Sequence, residues 1–246
     1  MISNPLAGIS YFINGLSLIN TTGIRRYVLV PLLINIIVFS FGLWFAVSQF
    51  EIFIAWALSE LPSWLSWLEW IMWPLFALTF YGLVFFGFSI FANIIASPFS
   101  GPLAAAVERH LQGEEDIVAS NKPFIQEAKD AIVNEFIKLK HSLYLMMPLA
   151  FLSLISFAFP LISPLVAVLW MLYTVWVLTL EYADFPMANH GMVFRDIREK
   201  LANKRLLSLG FGSMVMIATL IPFVNFLVMP IAVAGATKMY LNEFKN

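Results

Sequence analysis

The stretch INTTGIRRYVLVPLLINIIVF, residues 19–39, sets two adjacent arginines against the start of an uncharged apolar run. The run continues to residue 50, giving 24 consecutive residues without Asp, Glu, Lys or Arg. At about 1.5 Å per residue, a helix of that length crosses a hydrocarbon core of about 30 Å with some tilt. The stretch therefore predicts a membrane-spanning helix with a cationic start. Whether Arg25 and Arg26 only anchor that start or also hold a ligand is the functional question it raises.

Composition points the same way. The chain is 61% hydrophobic and 12% charged, against about 45–50% and about 25% in soluble domains, which places it in a bilayer. It has no cysteine, which excludes disulfides, thiol nucleophiles and thiolate metal sites. The N-terminus shows no basic segment leading into a short apolar core and a small-residue cleavage site, so no cleaved signal peptide is expected.

Three further uncharged runs complete the plan. Residues 70–107 form a run of 38, too long for one crossing. ASPFSGP at 96–102 carries two prolines and a glycine, and predicts a break there. The reading is a second span over 70–95, then cytoplasmic helices within 102–141. Residues 142–180 and 206–237 are runs of 39 and 32, interrupted by FPLISP at 159–164 and IPFVN at 221–225. Arms of about 15–17 residues reach only about 22–26 Å. They predict two proline-broken helical hairpins that enter the bilayer partway and return, with pairs of short full crossings as the alternative. The fold class is thus an all-α integral membrane protein forming a single membrane domain over 1–246.

Charge sets the orientation. Every Lys and Arg falls in four places: residues 25–26, 109–140, 195–205 and 238–245; the tip at 51–69 holds three glutamates and no basic residue. Both termini and the basic loops are therefore expected on the cytoplasmic side, with residues 1–26 as a cytoplasmic N-terminal segment and the Trp-rich tip outside. Within residues 114–141, Phe124, Ala128, Ile132, Phe136 and Leu139 recur at helical spacing.

Enzyme chemistry finds little support. His110, His141 and His190 share no metal-ligand spacing, no metal or cofactor site is expected, and there is no nucleotide loop or nucleophile motif. Glu181 and Asp184 sit three residues apart, so a helix would put both carboxylates on one face. Anion binding fits better. Thr21 and Thr22 are capping residue types, Gly23 lets backbone approach a ligand, and Arg25 and Arg26 follow within one turn of a helix N-terminus. The dipole and free amides there favour an oxyanion, which guanidinium forks grip at two oxygens. A second candidate is the polar path of Ser97, Ser100, Glu108 and Arg109, where broken backbone would line a cavity.

Four segments carry a family resemblance: GIRRYVLVPLLIN at 23–35, ANIIASPFSGPLAAAVERHLQG at 92–113, EYADFPMANH at 181–190 and IPFVNFLVMPIAVAGATKMY at 221–240. Together they resemble the CysZ family of bacterial sulfate permeases and the related EI24 group, over nearly the whole chain. The resemblance implies an all-helical membrane fold with two long spans and partly penetrating helices, assembled as a homodimer or larger homo-oligomer. It also implies import of sulfate, or sulfite, across the inner membrane for cysteine biosynthesis, by a proton-coupled or channel-like route and without nucleic-acid partners. The family's anion motif falls on Gly23, Ile24, Arg25 and Arg26. A proline commonly precedes that glycine, where Thr22 stands here. The alternative is a non-transporting scaffold or regulator whose arginines bind anionic lipid head groups.

Overall fold

The computed structural model describes residues 4–60, 62–113 and 124–245, and all regular structure among them is helical. Eight α-helices follow in order: α1 Pro5–Leu18, α2 Arg26–Ser59, α3 Glu69–Gln112, α4 Phe124–Ala158, α5 Ser163–Asn189, α6 Phe194–Asn203, α7 Arg205–Thr219 and α8 Pro222–Glu243. Short 3-10 turns at Ser63–Leu68 and Pro160–Ile162 join α2 to α3 and α4 to α5. The chain divides into two compact units, one of Met1–Val28 with Phe99–Asn246, the other of Leu29–Pro98.

The larger unit is built on close helix crossings. α1 starts where the Asn4 side chain accepts the Leu6 amide at 2.9 Å, with Pro5 supplying the preset first turn. Its inward face is Gly8, Phe12, Gly15 and Leu18, spaced by three and four residues, and it packs on α7 and α8. The contact is backbone on backbone. A Cβ at Gly8 would lie 2.1 Å from the Leu207 carbonyl oxygen, and one at Gly15 would lie 2.1 Å from that of Ile231. Gly210 and Gly235 answer from α7 and α8 against Pro5 and Tyr11. Small residues allow this approach where lipid supplies no hydrophobic drive between helices. Phe12 then meets Phe211 edge-on at 6.3 Å.

Position in the unit decides how much of each helix is covered. In the most apolar window of α8, 67% of residues are buried, whereas none is buried in the corresponding window of α4. Phe151, Leu154 and Phe157 of α4 stand exposed. Among the described residues, four stretches are long and apolar enough to cross a membrane: Arg26–Ser59, Phe136–Ala158, Pro160–Asn189 and Val224–Glu243; α7, with 15 residues, is shorter. In the smaller unit, Phe50 of α2 stacks on Phe76 of α3 at 4.0 Å and meets Trp73 edge-on at 5.1 Å.

Three sequence expectations change. In place of the break at 96–102, α3 runs unbroken for 44 residues. Prolines 98 and 102 are four apart, so each removes one ladder donor and the rest of the hydrogen-bond ladder remains available. The segment 1–26 is no plain tail, since it contains α1 at the heart of the larger unit. α4 and α5 meet at the short turn over 159–162, and they outrun the uncharged arms, to 35 and 27 residues, because charged residues at their outer ends are accommodated in helix. The second breaks at Leu220 and Ile221, just before Pro222. Of the stripe expected within 114–141, the side chains of Phe124, Ala128 and Ile132 lie outside the described residues, and Phe136 and Leu139 are exposed.

Candidate anion site

The candidate cradle occupies the turn between α1 and α2. α1 closes at Leu18, and the Thr21 carbonyl then accepts both the Ile24 and Arg25 amides at 3.1 Å. Gly23 takes φ +93°, a left-handed conformation that side chains resist. Ile24, only 2% exposed, turns into the protein, and Ile19 and Val28 on either side in sequence are buried too. The expected threonine caps do not form: no side-chain hydrogen bond from Thr21 or Thr22 occurs among the described residues, because Thr21 lies too far upstream and closes the turn with its backbone oxygen. The amides of Thr22, Gly23 and Arg26 donate to nothing among the described residues. Three free donors beside a positive-φ glycine are the kind of backbone group an anion can use.

The arginines frame this turn. Both are exposed. Arg25 donates from Nη2 to the Asn20 carbonyl oxygen at 2.8 Å, which ties its guanidinium back across the turn. Arg26 lies over the Tyr27 ring at 4.8 Å and donates to the Tyr27 hydroxyl at 3.0 Å. Each guanidinium has five N–H donors, so most remain available. The site is exposed and cationic, with Ile24 buried at its base.

The second candidate set separates. Ser97 lies in α3, with its side chain outside the described residues, and Ser100 is buried. Glu108 turns inward, 4% exposed, while Arg109 and His110 point out. Adjacent helical residues diverge by about 100°, so Glu108 and Arg109 do not act as one constriction. Glu108 is instead the hub of an ion-pair cluster: His190 Nε2 approaches its oxygens at 2.9 and 3.0 Å, and Lys245 Nζ donates to Oε1 at 3.1 Å. Lys245 also donates to Gln112 Oε1 at 2.5 Å, and Asn189 Nδ2 donates to the Gly101 carbonyl oxygen at 2.9 Å. The carboxylate can only accept, so His190 carries its proton on Nε2 here.

A second cluster secures the C-terminal end. Lys204 Nζ donates to the Glu243 carboxylate at 2.6 Å and to its carbonyl oxygen at 2.8 Å. Lys200 donates to the Phe244 carbonyl oxygen at 2.6 Å, and the Tyr11 hydroxyl to Glu243 at 3.0 Å. Burial pushes the Tyr11 phenol above its ordinary range. Of the carboxylates expected on one face of α5, Asp184 is buried and paired with Lys138, and Glu181 is exposed. The partners His190, Lys204, Glu243 and Lys245 lie up to 232 residues from the groups they meet, and no local spacing announces them.

Comparison with known proteins matches residues 11–230 to the family model described as Sulfate transporter CysZ/Etoposide-induced protein 2.4. The chain is similar to a protein named Sulfate transporter CysZ in Vibrio cholerae serotype O1 (strain ATCC 39541), at 38% identity over 98% of this chain and 95% of that one. It is similar to the protein of that name in Pseudomonas syringae pv. tomato at 40% identity, over 99% and 95%. The one from Pectobacterium atrosepticum matches at 36%, over 98% of this chain and 86% of its own length. With matches of this extent, the chain belongs to the Sulfate transporter CysZ/Etoposide-induced protein 2.4 family.

Proposed function

We infer that this protein carries sulfate across the bacterial cytoplasmic membrane for cysteine biosynthesis, with Thr21 to Arg26 as an oxyanion-binding turn on the cytoplasmic side. The names of the relatives support the substrate. The observation that carries the site is the set of unpaired amides of Thr22, Gly23 and Arg26 beside two guanidiniums with spare donors. Backbone amides at a helix start and Arg forks together match the tetrahedral oxygens of sulfate. Under this reading the two long helices span the bilayer and the hairpins enter it partway. Moving a dianion inward against an inside-negative potential costs about 4.6 kcal/mol per 100 mV. Accumulation therefore needs proton coupling or steady consumption of sulfate inside. A cytoplasmic site of this kind meets sulfate near its exit and acts in release.

The stacking of Arg26 on Tyr27 favours a second reading, an interfacial anchor that binds lipid phosphate. Equilibrium sulfate binding to purified protein separates the two. Under the transport reading, Arg25→Ala with Arg26→Ala loses saturable sulfate binding while the protein stays folded. Unchanged binding in the double variant leaves the anchor reading.

A further inference from the structure

The described part of α2 contains one buried polar side chain, Asn35, 7% exposed. It sits on the tenth residue of the helix, about 14 Å along the axis from its start. The other polar side chains of the uncharged run, Ser40, Ser48 and Gln49, are exposed or half-buried. Asn35 Oδ1 is buried without a hydrogen-bond partner, and its amide nitrogen donates to nothing among the described residues. Buried polar groups in folded proteins are overwhelmingly paired, and an unpaired one inside a membrane span is more costly still. Pro31, one turn earlier on the same face, is also buried and removes a further ladder donor. A leucine at position 35 would avoid the cost, as it does at Leu32 and Leu33.

An unpaired carboxamide is useful where a ligand completes it. Its two N–H donors suit an oxyanion and its oxygen suits the water that travels with one. It carries no charge, which matters in a conduction route: a site must hold an ion well enough to admit it and weakly enough to release it. An arginine at this depth would hold a dianion; an amide would pass it on.

We propose that Asn35 is a contact for the permeating oxyanion inside the membrane, a neutral station that sets which anions pass. The proposal rests on the sulfate-transport reading above. The test is influx of radiolabelled sulfate into liposomes containing wild-type protein, Asn35→Leu or Asn35→Gln, with reconstituted protein quantified and thermal unfolding followed in detergent. Asn35→Leu is expected to cut influx at least tenfold while unfolding no lower than wild type, because it removes a buried unpaired group. Asn35→Gln keeps the amide and is expected to retain at least a third of the influx, with an altered sulfate-to-sulfite ratio. Should Asn35→Leu fail to insert, Asn35→Ala replaces it with the same expectation. Influx through the apolar variant within twofold of wild type overturns the proposal and leaves the transport reading standing. Absence of wild-type influx above empty liposomes overturns both.

Discussion

Replacing Gly210 by alanine tests the packing that holds α1 against α7. An added Cβ would lie 2.0 Å from the Pro5 carbonyl oxygen, 2.7 Å from its carbon and 2.8 Å from its Cα, all backbone atoms. Real Cβ contacts essentially never fall below 3.0 Å, so the two helices must part by about 1 Å, the difference between 3.0 and 2.0. No rotamer change relieves the clash. Overpacking of this kind costs about 1–3 kcal/mol, and the better helix propensity of alanine returns about 1 kcal/mol. With rigid backbone on the receiving side the upper part of the range applies, for a net loss of about 1–2 kcal/mol. At about 2–4 °C per kcal/mol for a chain of this size, the midpoint should fall by about 2–8 °C. Gly42 supplies the control: it is exposed on α2, and a Cβ added there would meet nothing within 4 Å, so alanine should raise the midpoint by about 2–4 °C. Thermal unfolding in detergent, followed by size-exclusion with tryptophan detection, measures both. If Gly210→Ala unfolds at or above the wild-type temperature, the crossing is not the close contact described.

Three further outcomes follow from the clusters and the turn. Glu108→Gln removes the carboxylate shared by His190 and Lys245; because Lys245 is 27% exposed and regains water, the loss should be about 1–3 kcal/mol rather than that of a fully buried pair. A double-mutant cycle with Lys245→Met should show coupling above about 0.5 kcal/mol, and strict additivity would contradict the pairing. Gly23→Ala meets open space but places a side chain at φ +93°, so it should cost about 1–2 kcal/mol and weaken sulfate binding several-fold by calorimetry, while Gly23→Asn should recover much of it. Lys204→Ala removes two of the bonds that hold Glu243, leaving that from Tyr11, and should speed amide exchange over residues 240–245 without changing exchange in α1 before Tyr11.

The membrane class and a few helix starts, those of α2, α3 and α8, are legible in the sequence, and physical chemistry explains where that legibility ends. Long uncharged runs report the membrane class, since a charge inside hydrocarbon is costly. The breaks before Pro160 and Pro222 are readable because proline there opens a new helix. Proline at 98 and 102 misleads, since its effect depends on whether neighbours satisfy the freed carbonyls, which composition does not record. α1 escapes notice as a core element because its inward face includes Gly8 and Gly15, which carry almost no hydrophobic signal although they permit backbone-on-backbone contact in the larger unit. At the candidate site, Gly23, Arg25 and Arg26 are visible as residue types. The roles of Thr21 and Ile24 are not: one closes the turn through its carbonyl and the other turns into the protein. Glu108 stands out beside Arg109, but its partners His190 and Lys245 belong to tertiary structure alone.

The central claim is that sulfate crosses the membrane through this protein by way of the arginine turn. Its most direct test is the initial rate of radiolabelled sulfate influx into liposomes holding equal amounts of wild type or of the Arg25→Ala, Arg26→Ala double variant, against empty liposomes. The expected result is saturable wild-type influx well above the empty vesicles, reduced at least tenfold in the folded double variant. Influx in the double variant equal to wild type would contradict the role of the turn, and wild-type influx no greater than that of empty liposomes would contradict the transport function itself.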